Sequence, residues 1–154
     1  SDNLHSIYRL LGYQTALFEE GIPFNPSWVF HGRWNRQSGY EGAKHLFCDQ
    51  ITALFCMNDD MAAGAYDFFY EQGLEIGRDI SVIGYDNMVL SDYLHPGLTT
   101  SEIPLGEIGK KAVDMMLGIL KGSGSAEQPA PTIRMPCTMI ERKSVAVLEN
   151  KAKE

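Results

Sequence analysis

Basic clusters are what this sequence has least of. Its 154 residues carry 13 Lys and Arg against 20 Asp and Glu, for a formal net charge of -7. Gripping nucleic acid takes grouped cations that neutralise phosphates. The nearest approaches, Glu141-Arg142-Lys143 and Lys151 to Lys153, have acids mixed in, so this chain is not expected to bind nucleic acid itself. Cysteine is scarce too: Cys48, Cys56 and Cys137 are odd in number, widely spaced and form no C-x-x-C. They read as reduced thiols, with Cys56 in an apolar run. No apolar stretch approaches membrane-spanning length and no signal peptide opens the chain; a cytoplasmic protein without membrane contact is the expectation. G-x-S-x-G, a phosphate-cradling glycine loop, H-E-x-x-H and a Cys/His ligand cluster are all missing, which argues against an enzyme, a metal or a cofactor.

What is present suits one domain: 44% hydrophobic content is ample for a core at this length. Periodicity predicts a helix over Ser1 to Glu20, capped by Asp2 or Asn3, with Ile7, Leu10, Leu11, Leu17 and Phe18 mostly on one face. Gly21 and Pro23 end it. Trp28 to His31 is a strand candidate, and Gly32 to Gln37 a polar loop. Ser38-Gly39-Tyr40-Glu41 matches a capping box that opens a helix to about Phe47. Ala53 to Met57 reads as a second strand, with Asp59 and Asp60 as N-cap and first turn of a helix running from about Met61 to Glu71. Gly73 stops that helix.

The stretch Ile80 to Asn87 organises the remainder. Ser81 to Tyr85 is a short apolar run that predicts a strand buried on both faces. Asp86 comes at once after it, where ligands of open α/β sheets sit beyond the strand ends. Two readings stand there: Asp86 caps the next turn, or its carboxylate accepts paired hydrogen bonds from adjacent hydroxyls or a guanidinium. Downstream come an irregular piece from Met88 to Gly97 and a short extended segment at Leu98 to Thr100. A long amphipathic helix runs from Pro104 through Leu120, with a flexible connection after it over Gly122 to Pro131. The last strand lies within Thr132 to Ile140, and Pro136 places it at an edge or bend. The tail from Glu149 is expected to fray.

Alternating strands and helices predict an α/β fold with a parallel sheet and helices on both faces. A helix covering such a sheet connects two strands, so the opening helix predicts a strand upstream of it.

The spaced motifs carry a resemblance. Arg9-x-x-Gly12-Tyr13 with Ala16-Leu17, Ser38-Gly39-Tyr40, Asn58-Asp59-x-Met61-Ala62-x-Gly64-Ala65, Asp79-Ile80-Ser81-Val82-Ile83-Gly84-Tyr85-Asp86, Pro96-x-Leu98-Thr99-Thr100, Gly109 and Glu141-Arg142-x-Ser144 occur in order over Arg9 to Val145. Together they resemble the effector-binding core of the lactose-repressor (LacI/GalR) family of bacterial transcription regulators. The resemblance implies a two-lobed, periplasmic-binding-protein-like (type I) core, of which this chain is the C-terminal part only. On that reading 1–97 are the C-terminal lobe without its first strand. Residues 98–121 are a crossover belonging to the missing N-terminal lobe, and 122–154 are the return and tail. DNA contact would be made by a headpiece that this chain lacks.

The resemblance also implies a site. Arg9 matches an arginine that hydrogen-bonds effector hydroxyls, the alternative being a surface ion pair. Trp34 matches an aromatic that packs on the ligand ring, the alternative being a loop aromatic plugging the core edge. Asn58 matches an amide that reads hydroxyls, and Asp86 the carboxylate that chelates them. Asn3 and His5 fall where members vary with their effector. Arg33 stands where relatives often have an acid, and Ile103 where many carry a ligand-contacting Gln. Leu90 to His95 corresponds to a dimerisation region, making Tyr93 and Leu94 interface candidates; packing under the crossover is the other reading. A regulator's sensor of a small, sugar-like effector, acting as a homodimer, is thus the leading expectation. A transporter's sugar-binding protein is the alternative, and the Glu141 to Ser144 ending favours the regulator.

Overall fold

The computed structural model describes residues 4–47, 51–121 and 132–146. Its centre is a four-stranded sheet in the order β1 (Ala53–Phe55), β2 (Ser81–Asp86), β3 (Thr99–Glu102), β4 (Thr138–Ile140). The first three strands are parallel, with Leu54 opposite Val82 and Gly84 opposite Thr100; β4 returns antiparallel, with Thr100 opposite Ile140. The sheet is therefore mixed, not wholly parallel as expected. Its last strand begins only past Pro136, which has no N–H for a ladder, and it occupies an edge.

In β2, Val82 and Gly84 are buried while Ile83 and Tyr85 are half-buried, so this strand is sealed on one face rather than both. The sealed face lies under α3 (Asp59–Glu71), where Ala62, Ala65, Tyr66 and Phe69 pack with Ile80, Val82 and Leu98. Helix α2 (Arg36–Leu46) packs on α3 with unusual intimacy. A Cβ at Gly64 would stand 1.8 Å from the Arg36 carbonyl oxygen, and one at Gly39 1.9 Å from that of Met61. Only hydrogen fits between backbones at that approach. Arg36 grips Asp67 with two 2.6 Å bonds across the same junction, although that exposed pair adds little stability. Helix α1 (Leu4–Glu19) precedes these elements, and α5 (Leu105–Leu120), which joins β3 to the β4 side, has no buried residue. No described helix is long and apolar enough to cross a membrane.

Several local expectations are corrected. Trp28 to His31 is not a strand. The Asn25 side chain accepts from the Ser27 amide at 3.0 Å and hydroxyl at 2.9 Å, and with Pro26 in first position this winds Pro26–Trp28 into a 3-10 turn. Val29 and Phe30 then border, together with β1, a cavity of about 710 Å³ that is also lined by Leu10, Tyr13 and Leu17 of α1. With that space between them, the Val29 segment pairs with no described strand. Helix α2 begins at Arg36, capped by Asn35, whose side chain accepts from the Ser38 amide at 2.9 Å. Ser38 is not the cap; its hydroxyl accepts from the Arg33 amide at 2.6 Å. The piece from Met88 to Gly97 contains a short helix, α4 (Leu90–Tyr93). Leu98 is wholly buried and Thr99–Glu102 are a strand of this sheet. The connection over 122–131, the tail from Glu149 and Cys48 lie outside the described residues.

The Glu141-Arg142-x-Ser144 motif has a structural task. The Ser144 hydroxyl donates to the Val82 carbonyl at 2.6 Å and accepts from the Thr99 amide at 2.8 Å, bridging β2 to the start of β3.

Two glycines test this packing. Gly64→Ala should destabilise the chain by about 1–3 kcal/mol, the usual cost of overpacking. Gly12→Ala, where a Cβ meets nothing within 4 Å, should stabilise it by about 0.5–1 kcal/mol through helix propensity. Urea unfolding of both variants checks the opposite signs.

Candidate functional site

Parallel strands end on one rim, and four of the sequence candidates meet there. Met57 and Asn58 come just after β1, Asp86 closes β2, Arg9 reaches over from α1, and Trp34 lies in the loop before α2. Arg9 is the hub. One of its nitrogens donates to the Met57 carbonyl and another lies 3.5 Å from Asp86 Oδ1. Its guanidinium carbon stands 3.8 Å from the Tyr85 ring centroid and 5.2 Å from that of Trp34. Flat cation faces over aromatic rings are mutually attractive and hold the fork's orientation.

Asp86 and Asn87 both adopt positive φ, 107° and 51°, at roughly 1–3 kcal/mol each for non-glycine residues. Regular alternation would put Asp86 on the face opposite Tyr85, yet Arg9 meets both. The left-handed backbone ends the pleat at that residue. Burial raises the Asp86 carboxyl above the usual carboxylate range; Arg9 opposes this, and Asp59 and Asp60 add to it.

Asn58 is the true N-cap of α3, a role expected of Asp59, while Asp60 lies in the first turn as expected. Its oxygen accepts from the Met61 amide at 2.8 Å and its Nδ2 donates to the Trp34 carbonyl at 3.4 Å. The other amide hydrogen has no partner among the described residues. Trp34 is 39% exposed, so it does not plug the core edge. Asn3 lies outside the described residues, and the surroundings of His5 are likewise not described. The interface candidates divide: Tyr93 is 74% exposed, whereas Leu94 packs partly against the core.

Sequence reasoning missed Tyr85, the Met57 carbonyl and, most of all, Asp59. Asp59 has no exposed surface. Its Oδ2 accepts from the Met88 amide at 2.7 Å and the Ser91 hydroxyl at 2.6 Å, and its Oδ1 from the Thr100 hydroxyl at 2.6 Å. Strand periodicity flags Tyr85, which shares a face with Ile83. No local pattern flags Asp59, since its partners lie 29, 32 and 41 residues away. Cys56 is a buried thiol pushed up to about 12, chiefly by burial, with Asp59 adding to the shift, which leaves it without thiolate reactivity at neutral pH. Among the described residues no cluster of His, Cys, Asp and Glu is placed to hold a metal.

Comparison with known proteins agrees with this fold. Residues 1–145 match a family model described as a periplasmic binding protein-like domain. The ribose operon repressor of Haemophilus influenzae is 36% identical over 143 residues, covering 92% of this chain and 42% of that protein. The HTH-type transcriptional repressor PurR of Aliivibrio salmonicida is 40% identical over 115 residues, 73% of this chain and 34% of that one. The crystal structure of the Escherichia coli transcriptional repressor ascG superposes with a TM-score of 0.82 at 32% identity, covering 95% of this chain and 52% of the other. A LacI family transcriptional regulator from Enterococcus faecium with bound ribose gives a TM-score of 0.79 at 30% identity, covering 92% and 52%. The chain spans less than half the length of these curated relatives.

The raised Asp86 carboxyl has a testable sign. Folding favours its protonated form, so its stabilising contribution is present at low pH and lost as pH rises through the raised value. Asp86→Asn should therefore not lower stability at neutral pH. Its advantage over the parent should shrink to nothing as pH falls below the carboxylate range, as read from thermal unfolding across pH.

Proposed function

Because the chain belongs to the periplasmic binding protein-like domain family, we propose that it is one lobe of the ligand-sensing core of a cytoplasmic LacI-type transcriptional regulator, a repressor. The lobe is the C-terminal one, and its partner lobe and DNA-binding headpiece lie in sequence beyond this chain.

The effector is a small polyhydroxylated molecule held between lobes. The juxtaposition of Arg9 and Asp86 across 3.5 Å, with the Arg9 guanidinium against the Tyr85 and Trp34 rings, is the observation that carries the reading. A guanidinium fork and a carboxylate side by side offer donors and acceptors to neighbouring hydroxyls. Trp34 offers an apolar face to a sugar ring, and Asn58 keeps one amide hydrogen for the ligand while capping α3. The ribose described with the Enterococcus faecium regulator supports this ligand class. No covalent step is involved: occupancy favours one arrangement of the two lobes and thereby the spacing of paired DNA-binding heads. Pairing of two copies would use the region of α4, where Tyr93 is presented to solvent.

A thermal-shift screen of the intact protein against sugars, sugar phosphates and purines tests this directly. A polyhydroxylated hit should be lost entirely in Asp86→Ala; full affinity in that variant sinks the site assignment. Isothermal titration of the 154-residue chain alone should give far weaker binding than the intact protein, since one wall of the cleft is elsewhere. Equal affinity would overturn the half-site reading.

A further inference from the structure

We propose that Asp59 is a positioning residue for the ligand-facing carboxylate: it holds the Asp86–Asn87 backbone in the left-handed conformation that presents Asp86 to Arg9. The inference rests on the reading of Asp86 as a ligand residue.

Two successive non-glycine residues at positive φ persist only where surrounding contacts over-determine them. Those contacts converge on Asp59. The amide that leaves the turn, Met88 N–H, donates to Asp59 Oδ2 at 2.7 Å. The Asn87 amide donates to the Thr100 hydroxyl at 3.4 Å, and that hydroxyl donates in turn to Asp59 Oδ1 at 2.6 Å. Ser91, in the helix just past the turn, donates to Asp59 Oδ2 at 2.6 Å. The carboxylate therefore fixes the turn from its exit, from the adjacent strand and from the next helix. It stands in the first turn of α3, where the helix dipole favours a negative charge, and no described cation pairs with it. Gly84 confirms that the strand is shaped around this group, since a Cβ there would lie 2.2 Å from Asp59 Oδ1. Arg142 and Glu102 hold the Asn87 side chain, at 2.9 and 3.1 Å, and Asp86 pairs with Glu102 in the ladder on its entry side, which leaves the exit of the turn to Asp59.

A residue serving only the core would lower stability when removed and leave the turn alone. Asp59 should do more. In the NMR spectra of the chain, the Cα and Cβ shifts of Asp86 and Asn87 report the sign of φ. Asp59→Ala should lose the positive-φ signature at both residues. Asp59→Asn, which keeps an oxygen for Met88, should retain it. Thr100→Val should lose the signature at Asn87 while Thr100→Ser keeps it, and this pair decides the matter if Asp59→Ala does not fold. A folded Asp59→Ala, or in its place Thr100→Val, that preserves the signature overturns the proposal. Millimolar D-ribose, followed through the Arg9 and Trp34 side-chain signals, separates this from failure of the site. Perturbations that persist in Asp86→Ala refute the ligand role of Asp86, whatever the turn does. Perturbations lost in both Asp86→Ala and Asp59→Ala, but kept in Asp59→Asn, support the positioning role.

Discussion

Parallel pairing of β1, β2 and β3 is the constraint on which everything else rests. Strands running the same way deliver their exits to one rim, so the residues just past each strand are brought together without any further design. After β1 come Met57 and Asn58; Asp86 ends β2 and Asn87 follows it. The return connection must cross the sheet, and α3 does so while packing Ala62, Ala65 and Phe69 onto the sealed face of β2. The site is polar because it lies just beyond the packed layer, and it is rigid because that layer has no slack. The backbone contact of Gly39 and Gly64 shows how little slack there is.

Electrostatics on this rim derive from the same arrangement. Asp59 and Asp60 stand close enough to disfavour charge on Asp86, and Arg9 opposes them. Asp59 is fully buried among hydrogen-bond donors, and Asp86 is left part-buried, its carboxyl raised chiefly by burial. Ligand sites commonly hold such a cost in the empty state, because a ligand that supplies donors relieves it.

Much of this was legible in the chain. The helices over Leu4–Glu19, Asp59–Glu71 and Leu105–Leu120 obey apolar periodicity, and β2 is foreshadowed by its β-branched run. The motifs grouped Arg9, Trp34, Asn58 and Asp86 as one set, and the fold brings them onto one rim. The failures share a cause. The expected cap at Ser38 and the expected strand at Trp28 both rested on local preference, and in both cases an asparagine side chain nearby bonded the backbone first. Asn58 was read as a ligand amide and is also a cap, because the same oxygen suits either use. Asp59 was read as a cap and is a buried hub, which only contacts across 41 residues of sequence could reveal.

The open side of β1 carries one more consequence. Ala53, Leu54 and Phe55 include no charge and no proline, and they border an apolar hollow, with no strand beyond β1 among the described residues. Natural sheets guard such borders because a bare main chain is a template for any extended segment that comes near. Taken alone, this polypeptide offers at that border a main-chain edge onto which an extended segment of a second copy could pair.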